Sequence, residues 1–297
     1  MVGASELLCD PATRSAVSAC RAITKARAGN FYWGLRLTPE PKRSAMYTIY
    51  AWMREADDLV DAHAGADSEK LDAKLAAFEA STVAALRGES RDAAGLWRAL
   101  SAVAREYPLD PADFHAMLAG QRADLVPQRV ATWPDLEAYC ERVASTVGRV
   151  CVRVWGYRDG SALELATQLG IAFQLTNVLR DVREDALLGR TYLPQEALVT
   201  AGLSMDELLA WSQPEACREV LGTLVARARE RFEASAPLDG MVDPACRATL
   251  RALTGIYRAL LERMAGDLSQ VCRGRVSLPM HRKVFIALRS HWLGRPA

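Results

Sequence analysis

The sequence has no charge-free apolar run long enough to cross a membrane and no paired cysteine motif. A membrane-spanning helix needs about 18 to 20 consecutive apolar residues, and no such run occurs in the 297 residues. The seven cysteines are scattered, without a CxxC pair, which argues against a disulfide framework and a zinc site. The first residues are too few and too acidic for a secretory signal. We expect a cytoplasmic protein whose only membrane contact would be peripheral.

An excess of charge of either sign is also missing. The chain has 37 Lys and Arg against 36 Asp and Glu, so nothing indicates a nucleic-acid partner. Glycine, proline and aromatic residues are few, while half of the residues are hydrophobic. This composition favours a helical protein over a β-sandwich.

Helical periodicity dominates what is present. Segment 147–155 also alternates as a strand would, but Val143, Val147, Val150 and Val154 share one helical face, so we predict a helix there. The sequence thus predicts one all-α domain over residues 1–297. The predicted helices cover residues 12–28, 41–62, 68–87, 92–106, 111–125, 134–155, 161–187, 214–235 and 243–271.

Two acidic motifs of the form DxxxD carry the chemistry. They pair Asp57 with Asp61 and Asp181 with Asp185, and each spacing places two carboxylates one turn apart on one helix face. Two such faces turned toward each other would bind Mg2+, which prefers carboxylates on one side and substrate phosphates on the other.

A single DxxxD is usually a solvated acidic face, but the flanks of these two argue against that interpretation. Apolar residues such as Met53 and Val60 surround the first pair, and Leu179 and Val182 surround the second. Carboxylates on such helices are unfavourable unless they are paired, metal-bound or next to a wet cavity. The sequence therefore predicts a metal site that binds a diphosphate ester.

Other polar residues lie beside the motifs. Arg54 and Tyr50 precede Asp57 on the same face, and Arg54 would neutralise a leaving diphosphate unless it is only an ion-pair partner. Gln174 and Asn177 precede Asp181, and Asn177 offers a neutral oxygen ligand for Mg2+. Loss of diphosphate leaves an allylic cation that needs an apolar, aromatic cavity.

The walls of that cavity are predicted from aromatic segments. Phe31-Tyr32-Trp33 and the helix Leu136–Trp155 are candidates, although aromatic residues at helical spacing are more often plain core. Tyr139 is the aromatic residue that we expect to be catalytic, because a phenol near the diphosphate would orient it or relay a proton.

Four segments resemble the squalene/phytoene synthase family of head-to-head prenyltransferases. They are residues 30–33 with Arg43, Tyr50 to Asp61, Tyr139 to Arg149 (YCERVASTVGR), and Gln174 to Pro194 (QLTNVLRDVREDALLGRTYLP). The resemblance covers residues 20–285 and implies a single all-α isoprenoid-synthase domain with a central cavity.

The resemblance also implies roles for individual residues. It implies metal binding by Asp57, Asp61, Asn177, Asp181 and Asp185. It implies diphosphate and substrate contacts by Tyr50, Arg54, Gln174 and Arg180, and a place in the central cavity for Tyr139. Asp58 matches a position that is usually acidic.

Within the family, the segment from Tyr139 to Arg149 looks most like bacterial presqualene diphosphate synthases of the hopanoid pathway. The implied reaction is the Mg2+-dependent condensation of two farnesyl diphosphates, without NADPH. Downstream squalene-pathway enzymes are then the expected partners. Alternatives are a phytoene or dehydrosqualene synthase, a full squalene synthase, or a non-catalytic relative. The sequence does not fix the prenyl chain length.

Overall fold

The computed structural model describes residues 5–61, 68–90, 93–123 and 129–293. A π-helical turn (Glu141–Ser145) joins α8 to α9, and a 3-10 turn (Pro244–Cys246) precedes α15. The α-helices are, in chain order, α1 (Glu6–Cys9), α2 (Pro11–Arg27), α3 (Asn30–Leu35), α4 (Lys42–Asp61), α5 (Ser68–Leu86), α6 (Gly95–Glu106), α7 (Pro111–Ala123), α8 (Trp133–Cys140), α9 (Thr146–Trp155), α10 (Ser161–Leu187), α11 (Gln195–Thr200), α12 (Met205–Ala210), α13 (Pro214–Ala234), α14 (Leu238–Met241), α15 (Arg247–Gly266), α16 (Ser269–Arg273) and α17 (Met280–Leu293).

The all-α prediction is confirmed. Over the described ranges there is no β-strand, and two isolated β-bridges join Arg129 to Thr191 and Tyr157 to Val242. The ambiguous segment 147–155 belongs to α9. No helix in the described part of the chain is long and apolar enough to span a bilayer.

The predicted helices differ from the structure in two places at the C-terminal end. The helix expected over 243–271 is shorter, because α15 ends where Asp267 adopts an extended conformation. The Asp267 carboxylate accepts a hydrogen bond from the backbone N–H of Ser269 at 3.1 Å, and such a local bond competes with helix continuation. The second error is an omission, since the fourteen residues of α17 were not predicted as a helix.

Helix α10 is the central element and packs against α8, α9, α13, α15 and α16. Its contact with the π-helical turn is especially close, because a Cβ on Gly170 would lie 2.5 Å from the Cα of Ser145. The Ser145 hydroxyl donates to the carbonyl of Thr167 at 2.8 Å. Helix α4 packs against α2, α5, α6, α7 and α9, so α9 contacts both helices that carry the acidic motifs.

Candidate active site

The first acidic motif lies on α4, whose inner face is anchored in the core. Trp52 is fully buried, and its indole N–H donates to the hydroxyl of Thr82 at 2.9 Å. The next residue, Met53, lines an apolar cavity. Asp57 follows Met53 by one helical turn on the same face, and its side chain is 45% exposed. Asp57 therefore lies beyond the cavity wall, where a ligand can reach it.

The adjacent carboxylates Asp57 and Asp58 have different surroundings. Asp57 accepts a hydrogen bond from the amide of Gln121, on α7, at 2.5 Å, and a nitrogen of Arg54 lies 3.8 Å away. Asp58 is bound directly by Arg54 and, at 2.8 Å, by Arg27. Two guanidinium groups thus already neutralise Asp58. Gln121 has no motif around it in the sequence, so sequence reasoning missed it.

Tyr50 lies one turn before Arg54 and is partly buried. Burial raises the pKa of its phenol to about 12, while the charges of Arg54 and Asp57 act in opposite directions. The hydroxyl therefore stays protonated and can donate a hydrogen bond at neutral pH. Asp61 is the last residue of α4, but its side chain lies outside the described residues, and its role stays a prediction.

The second acidic motif lies near the C-terminal end of α10. The Arg180 guanidinium forms two hydrogen bonds to the neighbouring Asp181 carboxylate, one of them at 2.8 Å. Arg275 approaches the same carboxylate from the segment after α16, at 3.2 Å. Asp185, one turn further along α10, lines a small recess together with Tyr192 from the segment that follows the helix. Sequence reasoning missed Arg275 because nothing local marks it.

Asn177 has a buried oxygen without a partner. Its amide N–H donates to Gln174 at 3.2 Å, and both side chains line the apolar cavity. The Asn177 carbonyl oxygen is buried and accepts no hydrogen bond, which is unfavourable for a buried polar atom. An oxygen-binding cation would satisfy it.

The donor set fits a hard divalent cation that is shared with a diphosphate. Carboxylates and a neutral amide oxygen are the ligands that Mg2+ takes in proteins, usually together with substrate phosphates. Among the residues that the structure describes, no three His, Cys, Asp or Glu side chains form a group that could hold a metal by themselves. The residues that would contribute are Asp57, Asn177, Asp181 and Asp185.

Tyr257, on α15, is a site residue that the sequence did not reveal. It is buried, lines the cavity, and interacts electrostatically with Asn177 and Arg180. Burial raises the pKa of the phenol even though the nearby Arg180 charge lowers it. Burial by itself would lower the pKa of Arg180, but the hydrogen bonds to Asp181 and the electrostatic interactions with Asp181 and Tyr257 outweigh that effect and raise it.

The cavity has a volume of about 160 Å³ and is largely apolar. The ring of Tyr257 stacks on Phe173, and Phe31 meets Tyr257 edge-on at 5.6 Å. The cavity is lined by Phe31, Met53, Val143, Ala144, Val147, Gly148, Cys151, Val152, Trp155, Ala166, Leu169, Gly170, Phe173, Gln174, Asn177, Leu238, Leu250, Leu253 and Tyr257.

Tyr139 is not among these lining residues. Its ring is 6% exposed and stacks on Tyr192, with centroids 4.7 Å apart. Because Tyr192 shares a recess with Asp185, Tyr139 lies behind the second acidic motif rather than in the apolar cavity. Both predicted wall segments do line the cavity, the first through Phe31 and the second through residues that include Trp155. Phe173, which sequence reasoning did not single out, adds a further aromatic ring.

Comparison with known proteins places the chain among the prenyltransferases. It belongs to the squalene/phytoene synthase family, whose sequence model matches residues 24–282. Members of this family are head-to-head prenyltransferases, and they use a divalent metal with their diphosphate substrates.

Relatives within the family carry different activities. The chain is 36% identical to a 15-cis-phytoene synthase of Synechococcus elongatus, over 89% of each chain. It is 37% identical to a presqualene diphosphate synthase of Zymomonas mobilis, over 82% of each chain. The fold is similar to a crystal structure of a dehydrosqualene synthase, with a TM-score of 0.80, 29% identity, and 94% and 96% of the two chains covered. A squalene synthase from Alicyclobacillus acidocaldarius gives a TM-score of 0.78 at 27% identity, with 89% and 96% covered.

Proposed function

We propose that the protein condenses two farnesyl diphosphates head to head to presqualene diphosphate, with Mg2+ and without NADPH. One observation carries the proposal. Met53 of α4 and Asn177 of α10 line the same apolar cavity, and each precedes an aspartate of an acidic motif by one turn. A prenyl chain in the cavity would therefore place its diphosphate between the two motifs.

Each side chain has a chemical task in this proposal. Arg54, Arg180 and Tyr257 would hold the diphosphate through charge-assisted and phenolic hydrogen bonds. Bound Mg2+ would supply the Lewis acidity that lets the diphosphate leave. When the C1–O bond of one substrate breaks, the faces of Phe31 and Phe173 would stabilise the allylic cation and keep water away from it.

The second substrate then completes the carbon skeleton. Its C2–C3 double bond attacks C1 of the cation, and loss of one proton closes a cyclopropane ring. The products are presqualene diphosphate, one diphosphate and one proton. The second diphosphate is retained because no further ionisation follows.

Two observations support a reaction that ends at presqualene diphosphate. They are the 37% identity to the Zymomonas enzyme and the amino-acid sequence of residues 139–149. A second candidate is phytoene synthesis from geranylgeranyl diphosphate, which the 36% identity to the Synechococcus enzyme favours. The two activities differ in the chain length that the cavity must accept, and in whether the cyclopropyl diphosphate loses its second diphosphate.

The deciding experiment is product analysis by mass spectrometry. The purified protein is incubated with Mg2+ and either farnesyl or geranylgeranyl diphosphate, without NADPH, and the products are treated with phosphatase. Presqualene alcohol is the expected product from farnesyl diphosphate. Phytoene from the longer substrate would overturn the proposal in favour of the second candidate. Dehydrosqualene from farnesyl diphosphate would overturn it in favour of a dehydrosqualene synthase.

A further inference from the structure

Helix α17 presents an apolar stripe to solvent. Phe285, Leu288 and Trp292 are 64%, 55% and 67% exposed, and their spacing of three and seven residues places them on one face. The opposite face holds Ala287 and Ser290, which are buried. Four of the nine large apolar side chains that are exposed in the described residues lie on this one helix, including Met280.

The helix is fixed to the body of the protein and not merely attached at its end. It packs against α15 and α3. Ile286 reaches α15 at a glycine, where a Cβ on Gly255 would lie 2.9 Å from the Ile286 side chain. The outward direction of the stripe is therefore set by the core, so Phe285 and Trp292 cannot turn inward without breaking this contact.

The C-terminal segment that contains α17 is basic and has no Asp or Glu residue. Asp267 is the last acidic residue, and residues 268–297 contain five Arg and one Lys. Since the whole chain has a net charge of +1, this segment carries +6 and the rest −5. Arg282 and Arg289 are exposed beside the stripe, and neither makes a salt bridge to another described residue.

We propose that the outer face of α17 binds the surface of an anionic lipid bilayer. A helix that lies in the interface buries an aromatic and aliphatic stripe, while its basic residues reach the headgroups. A second copy of the chain fits less well, because identical faces would bring two acid-free arginine sets together. The proposal does not depend on which prenyl product is formed.

The location of α17 connects this surface to the site. The helix packs on α15, which carries Tyr257. Burial lowers the pKa of Lys283, on the inner side of α17, and the nearby charge of Arg180 lowers it further. Adsorption through α17 would thus hold the diphosphate end of the cavity near the interface into which prenyl chains partition.

The test is co-sedimentation of the full-length protein with vesicles of phosphatidylcholine, with or without phosphatidylglycerol. Wild type should sediment with the anionic vesicles and not with the neutral ones. Each arginine near an anionic surface raises the partition coefficient onto the membrane about fivefold. The double substitution of Arg282→Gln and Arg289→Gln should therefore weaken vesicle binding about 25-fold. Arg14→Gln with Arg21→Gln, on exposed positions of α2, is the matched charge control and should change little.

The apolar stripe is tested by Phe285→Ser with Trp292→Ser against Val199→Ser, an exposed apolar residue on α11. Only the α17 variant should lose vesicle binding, with an unchanged circular dichroism spectrum and unchanged turnover of detergent-dispersed substrate. Equal sedimentation of all variants, or no sedimentation of wild type, would overturn the proposal. Loss of a dimer in the α17 variant, seen by analytical ultracentrifugation, would assign the face to a second copy instead.

Discussion

The ring of Tyr257 lies nearly parallel to that of Phe173, with centroids 4.2 Å apart and 14° between the planes. Both rings line the apolar cavity, while the hydroxyl of Tyr257 interacts electrostatically with Asn177 and Arg180. One side chain therefore contacts the space for hydrocarbon and the residues proposed to bind diphosphate. This position makes Tyr257 the point where the two parts of the site meet.

We expect Tyr257→Phe to reduce turnover about tenfold and to leave folding intact. The variant keeps the stack with Phe173 but loses the hydroxyl that would donate to the charged diphosphate, a hydrogen bond worth about 1.5 kcal/mol or more. Because burial raises the pKa of Tyr257 above the ordinary value of a phenol, the hydroxyl stays protonated at neutral and mildly alkaline pH. The variant and wild type should thus show the same alkaline limb in their rate–pH profiles. Tyr107→Phe is the control. Equal turnover of the two variants would contradict a role of the Tyr257 hydroxyl in binding the diphosphate.

The two acidic motifs should be equally necessary. Asp57→Asn and Asp181→Asn should each lower turnover by at least about 100-fold, because each removes charge that would bind Mg2+. Asp58→Asn should have a smaller effect, since Asp58 is offset from the helix face that Asp57 shares with the cavity-lining Met53. Steady-state rates at saturating Mg2+ give the comparison, with exposed Asp206→Asn as control. Full activity of the Asp57 or Asp181 variant would exclude a metal role for that residue.

The buried Asn177 oxygen that accepts no hydrogen bond should affect how activity depends on the Mg2+ concentration. Asn177→Leu is expected to raise the Mg2+ concentration for half-maximal activity about tenfold, which is the low end of the 10–100-fold range seen for perturbed metal sites. Asn177→Asp keeps an oxygen at the same place and should restore much of the affinity. A Mg2+ titration that is the same for Asn177→Leu and wild type would show that this oxygen does not face the metal.

Arg54 should act through geometry as well as charge. Arg54→Lys keeps the charge but loses the planar pair of donors that matches a phosphate. We expect a clear rise in KM for the prenyl diphosphate and weaker inhibition by inorganic diphosphate. Arg229→Lys, in a surface pair with Glu262, is the control. Unchanged kinetics in the Arg54 variant would make this residue only a partner for the aspartates.

The far end of the cavity should control chain length. Leu169, Leu238 and Leu250 line both this cavity and a second groove between α13 and α15. Leu250→Ala would join the two spaces, and we expect a higher ratio of geranylgeranyl to farnesyl diphosphate turnover. Truncation of a buried leucine costs about 2–5 kcal/mol of unfolding free energy. Leu260→Ala, on the same helix but not lining either space, should cost as much stability without changing the ratio.

Much of the fold follows from local pattern. The helix predicted over 161–187 is α10 (Ser161–Leu187). Helices α7 and α13 begin at Pro111 and Pro214, which are the predicted first residues. The i,i+4 spacing also predicted that Asp181 and Asp185 share one helix face, and both lie on α10. These features were predictable because helical periodicity and start signals depend on neighbours within about one turn.

Tertiary packing decided the rest of the site. Gln121, Tyr257 and Arg275 come from three different parts of the chain and reach the acidic motifs only after α7, α15 and the segment after α16 have packed. Tyr139 was expected in the cavity, yet its stack on Tyr192 places it behind the second motif. Which side chains meet at the site depends on contacts between residues tens to hundreds of positions apart, and hydrophobic periodicity specifies the buried face of a helix but not the partner that covers it.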